Sequence, residues 1–171
     1  MGPKKGSKDD GEDLSCEKFY AKYKKECALL GFKPYPQVVE KYNNEYLDNG
    51  SDLKKFNLWD EMGWQGVKVL MDAMRLVDYQ HTQSIRLWAT MCEDEGCRAI
   101  CRYIQICPSV IVLELLQNNI TALGCQFIGK TINPQNLESK CNLTVLKLDH
   151  NPIGSEGMAY LAEGLRQNKN I

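Results

Sequence analysis

A recurring spacing of 28 or 29 residues constrains this chain more than any other feature. The pairs Ile85-x-Leu87, Leu113-x-Leu115 and Leu146-x-Leu148 align, and a glycine follows nine residues after the second member of each: Gly96, Gly124 and Gly157. Four residues on come Ile100, Ile128 and Leu161, and four more bring Ile104, Ile132 and Leu165. Three places after the pair stand Thr90, Asn118 and Asn151, and two beyond those Cys92, Ile120 and Ile153. A degenerate earlier copy begins at Leu53-x-x-Phe56-x-Leu58, with Gly66 one residue short, and an insertion around 133–140 stretches one repeat to 33 residues. Internal periods of this size mark repeat architectures, in which no single unit can bury both of its faces.

Each position has a physical reason. An x-Leu-x-Leu-x strand sends alternate side chains to opposite faces, so the pair points inward. The asparagine sits where the chain bends, its amide able to satisfy backbone groups the turn leaves unpaired. The glycine allows a close entry into the returning helix, and the apolar residues at four-residue steps glue that helix to the strand layer. Neighbouring units then stack into an α/β solenoid with parallel strands on the concave side and helices on the convex side. The repeat array is expected over 51–171 as about four repeats, with further repeats expected past Ile171 because Asn168 to Ile171 stands where another strand should start.

Ahead of the repeats, Phe19, Tyr23, Cys27 and Leu30 recur at helical spacing and stop at Gly31. Pro34 and Pro36 make a turn, and Val38, Val39, Tyr42 and Tyr46 give a second short helix closed by Asn49-Gly50. Residues 14–50 therefore read as a helical N-terminal cap, and 1–13, rich in lysine, glycine and acid, as a disordered tail.

The repeat L-x-x-L-x-L-x-x-N-x-I-x-x-x-G-x-x-x-L resembles the ribonuclease-inhibitor subtype of leucine-rich repeat, and LTVLKLDHNPIGSEGMAYLAEGL, residues 143–165, follows it almost position for position. The opening FYAKYKKECALLGFKPYPQVV is similar to the N-terminal caps of ciliary and centrosomal leucine-rich-repeat proteins, and the Met-Gly-Pro-Lys-Lys start looks like those of axonemal proteins. The resemblance implies a non-catalytic scaffold for protein–protein interaction. It further implies a docking or structural subunit of a multi-subunit cytoskeletal or ciliary assembly.

A formal net charge of −1 gives no overall pull toward nucleic acid or membrane. No signal peptide opens the chain and no apolar run approaches a membrane span, so a cytoplasmic, reducing setting is expected. In that setting the eight cysteines are packed thiols or metal ligands rather than disulfides. Cys92, Cys97, Cys101 and Cys107 lack paired C-x-x-C spacing, and Cys97, Cys125 and Met158 share one repeat position, so a soft apolar ladder between helices explains them without a metal. His81 and His150 have no nucleophile at a readable spacing, and Glu93, Asp94 and Glu95 read as a solvated loop run. No enzyme chemistry, cofactor or small-molecule substrate is expected.

One alternative is a literal phosphate-binding loop, Gly124-x-x-x-x-Gly129-Lys130-Thr131. The repeat register opposes it by placing Gly129 and Lys130 inside a helix, where amides are already bonded. A regulator of a GTPase or enzyme is a further alternative. The strand residues that flank the inward pairs form the candidate partner-binding face. One row reads Asn57, Arg86, Glu114, Lys147 and the next Trp59, Trp88, Leu116, Asp149. Strands about 4.8 Å apart would gather Trp59, Trp88 and Leu116 into one patch. Cover by the N-terminal segment, or a one-residue slip turning Trp59 inward, would remove that patch.

Overall fold

The computed structural model describes residues 13–171, so the tail expected over 1–13 lies, apart from Asp13, outside the described residues. Four strands, β1 (Lys55–Leu58), β2 (Ser84–Trp88), β3 (Val112–Leu116) and β4 (Val145–Lys147), form one parallel sheet in chain order. Each is followed by a helix: α3 (Gly63–Leu76), α4 (Glu93–Ile104), α5 (Ala122–Ile132) and α6 (Gly154–Leu165). Phe56 pairs with Ile85 and Leu58 with Leu87, then Ile85 with Leu113 and Leu87 with Leu115. All six are buried, so the degenerate first copy is in register with the others. Consecutive helices pack on one another, on the face that holds these pairs.

The turns after β2 and β3 are each held by the asparagine of the next repeat. Asn118 is fully buried, and its Oδ1 accepts from the Thr90 amide (3.1 Å), the Thr90 hydroxyl (2.8 Å) and the Cys92 amide (3.2 Å). Its Nδ2 donates to the Leu87 and Leu116 carbonyls. Asn151 repeats the pattern one layer on, accepting from the Asn118 and Ile120 amides and donating to Leu115 and Leu148. The bend forces Gln117 and Asn119, on either side of Asn118, into left-handed backbone at φ 56°.

The segment expected as a cap begins with α1 (Ser15–Leu29), which packs on α3. Phe19 meets Phe56 edge-on and Tyr79 at a tilt, tying the cap to the first strand. The Tyr35 amide donates to the Tyr23 hydroxyl (3.1 Å), and the Tyr35 hydroxyl donates to the Met62 carbonyl (2.7 Å). That ring fills the space above Gly66, where a Cβ would lie 2.6 Å from the tyrosine oxygen. The second cap helix, α2 (Pro36–Lys41), runs on into a π-helical stretch, Tyr42–Leu47, and stops at Gly50 in left-handed backbone.

Three expectations need correction. Met158 and Leu165 are not core: α6 has no neighbour on its outer side among the described residues, so Met158 is exposed and Leu165 borderline, where Cys97 and Cys125 are buried. Ile153 is only half-buried for the same reason. Nor is Asp94 a merely solvated acid. It lies in the first turn of α4, where Oδ1 accepts from the Thr121 amide (2.8 Å) and the Gly124 amide (2.9 Å), and Oδ2 from the Thr121 hydroxyl. It thus caps the orphan amides of the neighbouring α5.

Candidate interaction face

The register carries the inward pairs and their flanking residues together. Asn57, Arg86, Glu114 and Lys147 are successive partners across the sheet, and Trp88 pairs with Leu116. Trp59 follows Leu58, the partner of Leu87, and so lines up with Trp88. A slip would have buried Trp59; instead Leu58 is 2% exposed and Trp59 67%. Trp88 is 61% exposed, so the described part of the cap does not cover the patch. The cap steadies it from the side, the Gln37 Oε1 accepting from the Trp59 amide (2.9 Å) and the Asp60 amide.

Asn57, Trp59, Arg86, Trp88, Glu114 and Leu116 surround a shallow depression of about 150 Å³ floored by Leu58 and Leu87. A wider hollow shares Asn57 and Trp59 and opens toward α2 and the π-helical stretch. Lys147 joins through an ion pair to Glu114. Asp149 does not line the depression; its backbone carbonyl accepts from the Gln117 amide (3.0 Å) and from the Asn151 Nδ2 (3.3 Å).

Glu114 is the electrostatic centre, with Oε1 3.3 Å from the Arg86 Nε and 3.1 Å from the Lys147 Nζ. Burial by itself would raise its pKa, but the hydrogen bonds and charges of Lys147 and Arg86 outweigh that and hold the carboxyl below its ordinary 4.5. A depressed folded pKa means this contribution to stability is present above pH 4.5 and is lost as the pH falls through the folded value. We expect an NMR titration to place Glu114 below 4.5 in the native chain and to return it toward 4.5 in Lys147→Ala. A Glu114 that titrates at its ordinary value in the native chain would contradict the triad.

The phosphate-loop match folds otherwise. Residues 122–132 are helix α5 throughout, and the Thr131 hydroxyl donates to the Phe127 carbonyl (2.9 Å). Gly129 is in the helix interior against α6, where a Cβ would meet the Tyr160 carbonyl. The matched segment thus presents a helix in place of a phosphate-cradling loop. Among the described residues no group of three or more His, Cys, Asp or Glu is placed to hold a metal.

Seven of the eight thiols are buried, and burial pushes Cys16 and Cys125 up to about 11, away from the reactive thiolate. His81 has partners that sequence reasoning missed: Nε2 lies 2.9 Å from Asp13 Oδ2 and Nδ1 3.3 Å from Asp52 Oδ2. Both acids come from segments remote in sequence, so no local spacing signals them.

No helix among the described residues is long and apolar enough to cross a membrane. No curated protein matches the chain. Residues 139–162, which carry β4, Asn151 and the first part of α6, match the family model described as Leucine Rich repeat.

Proposed function

We propose that this chain is a non-catalytic protein–protein interaction scaffold, a ribonuclease-inhibitor-type leucine-rich-repeat solenoid that docks a partner on its strand face. Leucine-rich repeats generally mediate protein–protein interaction, and the observation that carries the assignment here is the pair Trp59 and Trp88, left exposed side by side on that face. Each indole can bury about 150–250 Å², so water contact is costly and a partner removes it. The Arg86–Glu114–Lys147 row beside them supplies polar groups that fix orientation at the rim of such an interface. The resemblance of the cap to those of ciliary proteins supports a docking or structural role in a cytoskeletal or ciliary assembly.

The test is an affinity capture from ciliated-cell lysate with the native chain and with Trp88→Ala/Leu116→Ala, both first shown equally folded by circular dichroism. We expect a defined set of proteins to be lost selectively, and Kd for the recovered partner to rise about tenfold or more. Equal capture by both chains would move the working surface elsewhere. A face-dependent set without cytoskeletal proteins would remove the ciliary setting and leave the docking face standing.

A further inference from the structure

The opposite side of the molecule carries a feature that the strand face does not explain. Between α4 and α5 lies a cleft of about 170 Å³ whose walls include Arg98, Arg102, Phe127 and Lys130. Its floor is fixed, since Gln105 Nε2 donates to the Thr131 hydroxyl (3.2 Å), which in turn donates to the Phe127 carbonyl. The Arg98 guanidinium stands 5.5 Å from the Phe127 ring centroid, a cation–π contact, and has Glu95 at 3.6 Å. Arg102 and Lys130 have no acid partner among the described residues. Two uncompensated cations thus border an apolar wall on a chain whose formal net charge is −1.

The repeat register defines how far this positive field extends. Six residues past the repeat glycine, successive helices carry Asp72, Arg102, Lys130 and Glu163. The outer two are acids already held by their own helices: Asp72 by Lys68 (2.7 Å) and Arg75 (3.3 Å), Glu163 by Arg166 (3.1 Å). Packed helices lie about 8–10 Å apart, so the unpaired positive strip is only about that wide. A duplex or a lipid surface laid across it would set its own charges against Asp72 and Glu163. A short segment placing one or two carboxylates between α4 and α5 meets only the cations.

We propose that this cleft binds a short acidic segment of a partner protein, with carboxylates on Arg102 and Lys130 and an apolar side chain against Phe127. This second surface is independent of the strand face. The test titrates the purified full chain with a labelled synthetic peptide of alternating glutamate and leucine. Its glutamine counterpart, a single-stranded oligonucleotide and phosphatidylserine vesicles serve as competing probes.

We expect the glutamate peptide to bind, and Arg102→Glu and Lys130→Glu each to raise its Kd about tenfold or more. Arg102→Lys and Trp88→Ala should leave that Kd near the native value. Both charge-reversed positions are exposed, and unchanged thermal melting would show that the fold survives. The proposal is overturned if the glutamine peptide binds as well, if charge reversal leaves Kd unchanged, or if the oligonucleotide or vesicles bind more tightly.

Discussion

Replacing Asn118 with alanine should lower the unfolding free energy by about 4 kcal/mol in a urea titration, a large part of the 5–15 kcal/mol typical of a domain. The figure follows from what the side chain holds. Asn118 is fully buried and makes five hydrogen bonds, three accepted and two donated. Alanine would leave the Thr90 and Cys92 amides and the Thr90 hydroxyl buried without the acceptor they share, at about 1–3 kcal/mol for each unsatisfied group before water partly compensates. Asn151→Ala should cost about half as much, because Asn151 is half-buried and water can replace some of its contacts. Equal costs at the two sites, or a loss near 1 kcal/mol at Asn118, would mean the ladder is not what holds the turns.

The second large effect concerns the seam between α5 and α6. Gly129 and Gly164 face each other so closely that a Cβ on either would overlap backbone of the other helix, at the Tyr160 carbonyl or the Gly129 carbonyl. Glycine inside a helix normally costs about 1 kcal/mol relative to alanine, so on propensity alone substitution here should stabilise. Overlap with backbone, which cannot rotate away, reverses the sign. We expect Gly129→Ala to destabilise and Gly129→Leu to cost about 3 kcal/mol, near the upper end of overpacking effects. Hydrogen exchange should show amides of α6 losing protection while those of α4 keep theirs, since each helix packs chiefly on its neighbours. A stabilising Gly129→Ala would show that the helices can separate without cost.

The sequence made the layers legible because they are periodic. Ile85, Leu87, Leu113 and Leu115 repeat at one spacing, and that spacing alone predicts both their burial and the outward placement of Arg86 and Glu114. It also supported Trp59 outside, through the weak first copy built on Phe56 and Leu58. Contacts between repeats left no such trace. Asp94 caps α5 from 27 residues away, and Tyr35 fills the space over Gly66; neither choice is visible in the spacing of its own segment. Met158 shows the opposite failure. Its repeat position matches buried Cys97 and Cys125, yet burial depends on a neighbouring layer that position alone does not supply. Asp149, last of its row, stands exposed just past the end of β4, its carbonyl accepting from the Gln117 amide as the Leu116 carbonyl does from Ala89.

Trp59 and Trp88 are two of the three tryptophans in the chain, and the third, Trp64, is half-buried at the start of α3. Most of the indole surface in contact with water therefore lies on a single face. We expect emission from the unmodified protein to be dominated by solvent-relaxed indoles at that face, so that occupancy there shifts the spectrum toward the blue while events on the helical side leave it nearly still. The molecule carries its own optical gauge of which side is engaged.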